Sequence, residues 1–195
     1  MSKHYLSYPS ISKILKATES EEAKANLQRW AESVGMEKAE QIRQSAMERG
    51  RVIDANVSEY HVTGDCPNAI IKTYLSPFKI EQIEQDCWSD THKYFGRFDQ
   101  LLSKNERIIL NDFKGSGKTK QKQWLGDNPV QLSAYFFALL EQGQKVDYAQ
   151  LSYLVDGKTE VQYFVFAPYE LKKYYEEFIE RREQYESILR SQITA

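Results

Sequence analysis

Two aspartates and one lysine have the residue types that metal-assisted cleavage of a phosphodiester bond requires. Asp99 and Asp112 are candidate ligands because hard divalent cations such as Mg²⁺ or Mn²⁺ prefer carboxylate oxygens. Lys114 follows Asp112 by two residues. In phosphodiester hydrolysis the cation lowers the pKa of its bound water, and a lysine orients that water or stabilises charge on the phosphate. These three residues are the candidate catalytic groups.

A β-hairpin is predicted to bring the two aspartates together. Residues 94–102 and 106–113 have strand-like composition, and the three residues between them suit a short turn. Side chains alternate along a strand, so Asp112 and Lys114 are expected on one face and Phe113 on the other, in the core. The backbone carbonyl of Phe113 is a candidate further metal ligand.

The chain before this hairpin is predicted to be helical. Residues 10–15, 20–34 and 37–60 form three predicted helices, each opened or ended by capping residues. Gly50 interrupts the third helix, where a glycine costs about 1 kcal/mol. We therefore predict a close backbone contact at Gly50.

The remaining elements complete a layered fold. Residues 64–67 are a predicted loop followed by an extended stretch, residues 129–140 an apolar helix, and residues 146–155 and 161–166 a second strand pair. A last helix starts at Pro168 and carries an aromatic stripe that is predicted to be core. This order predicts an α/β or α+β fold with one central sheet.

Composition limits the range of functions. The 195 residues, 41% of them hydrophobic, suit a single domain over residues 1–195. A net charge of −2 means that any polyanion must be held by a local basic patch. Two cysteines, Cys66 and Cys87, are too few for a four-thiolate iron-sulfur cluster, and both are predicted to be inert. No apolar run approaches 18 residues, so no membrane span is expected.

Taken in order, these motifs resemble those of the PD-(D/E)XK nucleases, in the RecB-like branch that includes mitochondrial genome maintenance exonuclease 1 and its phage relatives. Asp99 matches the Gly-x-x-Asp element, and Asp112 with Lys114 matches the Asp-x-Lys pair. Gln131 and Tyr135 match a Gln-x-x-x-Tyr motif. Each motif alone is weak, and their order along the chain carries the resemblance.

Two earlier positions extend the resemblance. Ser10 lies in a segment similar to the family's opening Pro-Ser-Val, and Arg49 with Gly50 matches the Arg-Gly that precedes a metal-binding histidine. Where that histidine is expected, this chain has Asp54. An aspartate is a harder ligand that still suits Mg²⁺ or Mn²⁺, so Asp54 is kept as a candidate ligand. The alternative is that Asp54 is a solvated helix residue.

The resemblance implies a fold, an activity and a substrate. The fold would be α/β with a restriction-endonuclease-like core: a central mixed β-sheet flanked by helices over residues 64–195, preceded by a helical part over residues 1–63. The activity would be a metal-dependent DNA exonuclease acting from free single-stranded ends, over which the first helices would arch. The pathway stays open among recombination, repair, end processing and breakdown of host DNA, as do polarity and the choice between DNA and RNA.

A lysine-rich segment follows the candidate catalytic lysine. Ser116, Lys118 and Lys120 resemble the family's continuation of the Asp-x-Lys motif, and such a cluster would hold the DNA backbone electrostatically. The alternative is a solvated loop. Residues 115–119 also imitate the end of a phosphate-binding P-loop, but the required first glycine is replaced by Asp112, so no nucleotide cofactor is expected.

The other candidate contacts with nucleic acid are aromatic or amide side chains. Gln131 and Tyr135 are one helical turn apart, and the resemblance implies that they line the cleft. Tyr5, Tyr8 and Trp30 have rings suited to stacking on unpaired bases, although Trp30 is predicted to pack in the core.

Two expectations concern the class and location of the protein. A non-catalytic nucleic-acid-binding module is the alternative class, with Asp54 marking a decayed site. Retention of both aspartates and the lysine argues against that decay. Because the first motif starts near residue 8, a phage or bacterial enzyme of the cytoplasm is expected rather than a mitochondrial one.

Overall fold

A five-stranded mixed β-sheet is the centre of the computed structural model, which describes residues 3–193. The strands lie side by side in chain order, and only the third and fourth are parallel. The parallel pair requires a long crossover connection, which a helix supplies. The strands are β1 (Lys79–Ser89), β2 (Tyr94–Lys104), β3 (Arg107–Ser116), β4 (Tyr148–Val155) and β5 (Gln162–Phe166).

Six α-helices accompany the sheet within the described residues. Serine and asparagine side chains cap three of them: Ser10, Ser20 and Asn68 each accept a hydrogen bond from a backbone N–H of the first turn. The helices are α1 (Ile11–Ala17), α2 (Glu21–Val34), α3 (Met36–Thr63), α4 (Ala69–Leu75), α5 (Asn128–Glu141) and α6 (Pro168–Ile193). Two short 3₁₀ turns cover His4–Ser7 and Lys122–Trp124.

The helices cover both faces of the sheet. In β3, Leu110 packs with the cluster formed by α1, α5 and α6, whereas its neighbour Ile109 packs with the cluster formed by α3 and α4. Adjacent strand residues point to opposite faces, so these clusters are two separate core layers. The predicted α/β fold, with a central mixed sheet flanked by helices and preceded by a helical segment, is confirmed.

Several local predictions differ from the structure. The β2–β3 turn consists of Asn105 and Glu106, both with positive φ, so both strands are longer than predicted. Helix α4 was not predicted. The close contact expected at Gly50 is wrong, because a Cβ added there would meet nothing within 4 Å. Trp30 does not pack in the core, since it is 39% exposed.

Other predictions about packing are confirmed. Phe113 is buried in the α3/α4 layer, and Phe178 and Tyr185 of the last helix are buried in the other layer. Cys66 and Cys87 are both buried, and burial raises the pKa of each thiol.

The single-domain prediction over residues 1–195 extends past the described residues at both ends and stays a prediction. Within residues 3–193, none of the helices has the length and apolar character needed to cross a membrane.

Candidate active site

The two candidate aspartates lie where β2 and β3 separate. The ladder between these strands runs from Lys104↔Arg107 to Gln100↔Asn111. Beyond that pair, β2 continues against β1 and β3 continues against β4. Asp99 and Asp112 are the next residue on each strand. The hairpin therefore brings both carboxylates to the point where the two strands separate, as the sequence predicted.

Asp99 is held by the strand that carries the other catalytic candidates. Its Oδ2 accepts a hydrogen bond of 2.9 Å from the backbone N–H of Phe113. Burial and the nearby charge of Asp112 raise the pKa of Asp99 to about 8, against the opposing effects of Lys114 and the Phe113 hydrogen bond. Two carboxylates therefore crowd each other here, and a cation would relieve their repulsion.

Asp112 and Lys114 form an ion pair in which the aspartate is buried and the lysine is partly exposed. Lys114 Nζ lies 2.7 Å from Asp112 Oδ2, and Asp112 is only 2% exposed. The contact is an ion pair without the alignment of a hydrogen bond, so Asp112 Oδ2 has no directed donor. Burial opposes the charge of Lys114, but the charges of Asp112 and Asp99 outweigh it and raise the pKa of the lysine. The lysine therefore stays charged at neutral pH.

Helix α5 continues this network. Lys114 Nζ donates to Gln131 Oε1 at 3.3 Å, and Gln131 Nε2 donates to the Tyr135 hydroxyl at 3.1 Å. The Tyr135 ring packs against Gly96, where an added Cβ would lie 2.5 Å from Tyr135 Cε1. The structure therefore brings Asp112 and Lys114 of β3 together with Gln131 and Tyr135 of α5, although Lys114 and Gln131 are 17 residues apart in the sequence.

Asp54 and one further acid line a small cavity beside Asp99. Asp54 comes from α3 and Glu84 from β1, and both carboxylates reach the cavity wall. Asp54 is more than a third exposed, and partial burial together with the charge of Glu84 raises its pKa. Glu84 was not predicted from the sequence. The pairs Ile83↔Gln100 and Gln85↔Phe98 place it opposite Asp99, and only that register reveals it.

The donor set suits a hard cation, although it is not assembled as a ligand cage. The Asp99 and Asp112 carboxylates and the Phe113 carbonyl are oxygen donors of the type that Mg²⁺ and Mn²⁺ take. Within residues 3–193, no three acidic, histidine or cysteine side chains are arranged to hold a metal ion. Asp112 instead holds Lys114, and Asp99 holds the Phe113 N–H. The residues therefore fit a hard cation chemically.

The predicted nucleic-acid contacts are distributed around the end of β3. Arg49 of α3 packs against Gly115, and its Nη1 lies 3.3 Å from Asp156 Oδ2. Ser116 is buried and donates a hydrogen bond of 2.6 Å to the Lys118 carbonyl, so its hydroxyl is already engaged. Lys118 is exposed, and Lys120 Nζ lies 6.0 Å from the centre of the Tyr153 ring. Arg49, Lys118 and Lys120 therefore lie around the carboxyl end of β3.

The amino-terminal candidates have structural roles. Ser10 accepts a hydrogen bond from the Lys13 N–H as the cap of α1. Tyr5 is buried and stacks on Trp88 at 4.3 Å, so base stacking by Tyr5 is contradicted. The Tyr8 hydroxyl donates to Asp90. Of the three aromatic candidates, Trp30 is the most exposed, and Tyr8 is partly exposed.

Three solved structures resemble this chain at low identity. A phage-related exonuclease from Haemophilus somnus 129PT matches with a TM-score of 0.41 and 11% identity, covering 95% of this chain and 96% of that one. An alkaline exonuclease, LHK-Exo from Laribacter hongkongensis, matches at 0.35 and 12%, over 74% and 84%. SSO0001 matches at 0.43 and 10%, over 80% and 70%. No family model and no curated protein matches. With TM-scores this low, function has to be argued from the residues of the site.

Proposed function

We propose that this chain is a divalent-metal-dependent deoxyribonuclease that removes nucleotides from free DNA ends, with single-stranded or frayed ends preferred. The observation that carries the proposal is the Asp112–Lys114 ion pair at the point where β2 and β3 separate, with Asp99 beside it. Two carboxylates and an ammonium in one cleft are the groups that metal-assisted phosphodiester hydrolysis uses.

Each residue of the cleft has a task in this proposal. Asp99, Asp112 and the Phe113 carbonyl would hold Mg²⁺ or Mn²⁺, with Asp54 as a further ligand from α3. A bound divalent cation lowers the pKa of its water and neutralises charge on the phosphate. Lys114, released from Asp112, would orient the water or stabilise the charged phosphate oxygens. Gln131 would hold the freed ammonium in place, because the two side chains are already hydrogen-bonded.

The substrate preference rests on the distribution of charged and aromatic groups. The net charge of −2 gives no attraction for DNA at long range, so Arg49, Lys118 and Lys120 near the end of β3 would supply the local field. The exposed ring of Trp30 would stack on an unpaired base, which favours single strands.

End-labelled single-stranded DNA tests the proposal. The wild-type protein is expected to shorten the labelled strand in Mg²⁺ or Mn²⁺ and to leave it at full length in EDTA. Asp112→Asn and Lys114→Ala are expected to lower the rate by at least about 100-fold while circular dichroism shows a folded protein. Labels at the 5′ and 3′ ends in separate reactions would also give the polarity. Normal cutting by either variant would refute these assignments.

A second candidate is a nucleic-acid-binding module without catalysis. It is favoured by the absence of a preassembled three-ligand cage in the described residues. Binding of the labelled strand with no cleavage in Mg²⁺, Mn²⁺ or other divalent ions would support the module over the nuclease.

A further inference from the structure

Strand β5 is one of the two edge strands of the sheet. It pairs with β4 alone, from Gln162 to Phe166. Within residues 3–193, no other segment forms a backbone hydrogen bond with its outer side. The free N–H and C=O groups of such an edge are a template on which a further strand can pair.

The opposite edge strand, β1, carries features that prevent such pairing. Charged side chains, among them Glu81 and Asp86, are distributed along it. Its register with β2 shifts after Ile80, and Glu84 has a left-handed φ of 46°. Charges and an irregular backbone keep an edge strand from pairing with another chain.

The segment 161–167, which contains β5, has neither kind of protection. It includes no charged residue and no proline, and its pairing with β4 is regular. An uncharged segment of strand-forming residues pairs readily with a further strand when its edge is open. The edge of β5 is therefore suited to pairing.

The two faces of β5 differ in exposure. Phe164 and Phe166 contact the core layer of α1, α5 and α6, and Phe166 is fully buried. Tyr163 and Val165 alternate with these residues and therefore lie on the opposite face. There they remain 57% and 44% exposed, respectively. One aromatic and one β-branched side chain thus lie next to each other beside the open edge.

A second copy of this strand fits the edge. When two β5 strands run antiparallel and are centred on Phe164, Tyr163 of each copy lies opposite Val165 of the other. Cross-strand pairs of an aromatic with a β-branched residue stabilise antiparallel sheets. A two-fold axis repeats the contact, so the exposed pair of each copy is covered by the pair of the other.

The charges around the segment are compatible with this arrangement. Lys158 and Glu160 precede β5, and Glu170 and Lys172 follow it. An antiparallel pair places the beginning of one strand beside the end of the other, so each end of the pairing combines charges of both signs. The strand itself adds no charge and therefore no repulsion across the axis.

We propose that β5 is the interface of a homodimer, in which two β5 edges pair antiparallel about Phe164 and join the two sheets into one. This proposal does not depend on the proposed nuclease function. Because β5 has only five residues, the interface is small, and the copies are expected to associate weakly and in a concentration-dependent way.

Sedimentation equilibrium of the full chain tests this pairing without any activity assay. The wild-type mass is expected to rise with concentration from that of one 22.8 kDa chain toward twice that value. Val165→Lys places a charge on the edge and should keep the mass of one chain at every concentration up to about 100 μM. Val62→Lys alters a side chain that is 78% exposed on α3 and should dimerise as the wild type does. Thermal melts confirm that each variant is folded.

Cross-linking locates the interface independently. A short bis-maleimide should join Tyr163→Cys into a covalent dimer, because this position lies near the two-fold axis, whereas Val62→Cys should stay a single chain. Cys66 and Cys87 are buried, so the wild type supplies the background.

Two results would overturn the proposal. A wild-type mass of one chain up to about 100 μM would exclude the pairing of copies and leave this edge to an extended segment of another protein. A dimer that persists in Val165→Lys, or equal cross-linking of the two cysteine variants, would place the association on another surface.

Discussion

The backbone N–H of Phe113 donates a hydrogen bond of 2.9 Å to Oδ2 of Asp99, immediately beyond the last residue pair of the β2–β3 ladder. The two strands thus stay joined through a side chain after their backbone pairing has ended. Since Phe113 lies between Asp112 and Lys114, the same bond fixes the position of Asp99 relative to both. The hydrogen bond therefore fixes the orientation of Asp99 at the point where the two strands separate.

The raised pKa of Asp99 predicts how stability depends on pH in the cation-free protein. Burial and Asp112 raise the pKa to about 8, whereas an unfolded aspartate titrates near 3.9. The folded protein therefore binds this proton more tightly, and stability falls as pH rises from about 4 to about 8. Asp99→Asn removes that dependence while its amide oxygen keeps an acceptor for Phe113.

Urea unfolding in EDTA at pH 5 and pH 8 measures this effect. The loss of stability between the two pH values is expected to be larger in the wild type than in Asp99→Asn, by on the order of 1–3 kcal/mol. Added Mg²⁺ should reduce the difference, because the cation favours the ionised carboxylate. Equal losses in the two proteins would show that Asp99 has an ordinary pKa.

The close approach of Tyr135 to Gly96 predicts a second result. A Cβ at residue 96 would lie 2.5 Å from Tyr135 Cε1 and 2.7 Å from Ile11 Cδ1. The buried ring of Tyr135 cannot move aside as easily as the terminal methyl group of Ile11. Gly96→Ala is therefore expected to destabilise the protein by about 1–3 kcal/mol and to slow DNA cleavage by displacing Tyr135.

Gly50→Ala is the matched control for that substitution. A Cβ at residue 50 meets nothing within 4 Å, and alanine is the better helix former by about 1 kcal/mol. This variant should melt at a higher temperature than the wild type. Thermal melts of both variants measure these effects. A Gly96→Ala protein as stable as the wild type would show that the Tyr135 ring moves more freely than its packing implies.

Contact between α3 and β3 beside the catalytic lysine gives a third prediction. A Cβ at Gly115 would lie 2.8 Å from the Arg49 Cβ, which is fixed to the helix backbone and cannot swing away. Gly115→Ala should push α3 from the strand, destabilise the protein by about 1–3 kcal/mol and lower affinity for DNA through Arg49. In Gly117→Ala the added Cβ would lie 3.8 Å from its nearest neighbour. This variant should therefore change stability and DNA affinity little. Fluorescence anisotropy and urea unfolding measure both, and similar behaviour of the two variants would contradict the prediction.

The sequence predicted those parts of the site that depend on local alternation. Period-two alternation was enough to place Phe113 in the core and Lys114 beside Asp112. Glu84 could not be found in this way, because its closeness to Asp99 follows from the register of two strands and from a left-handed backbone angle. Strand pairing is a tertiary relationship that residue types alone do not determine.

The errors in the fold have similar causes. Helix α4 has only seven residues, too few to show helical periodicity, and contains adjacent isoleucines that favour strands. Trp30 lies on an amphipathic helix, α2, none of whose residues is buried. A periodic apolar face indicates that a helix is amphipathic, but it does not say whether the rest of the chain covers that face.

The lysine segment after β3 predicts the salt dependence of DNA binding. Lys118 is exposed, and the ammonium of Lys120 lies over the Tyr153 ring; within residues 3–193 neither lysine side chain makes an ion pair. Lys122, by contrast, forms a 2.8 Å ion pair with Glu170, which already neutralises its charge. Each lysine that contacts a phosphate of a single strand adds about 0.7 to the slope of log K against log salt.

The test uses a protein that also carries Asp112→Asn, which prevents cleavage. In that protein Lys118→Gln and Lys120→Gln should each lower the slope by about 0.7, whereas Lys122→Gln should change it less. Anisotropy titrations with a labelled single strand between about 50 and 200 mM salt supply the slopes. Equal slopes for all three variants would mean that the strand leaves the cleft by another route.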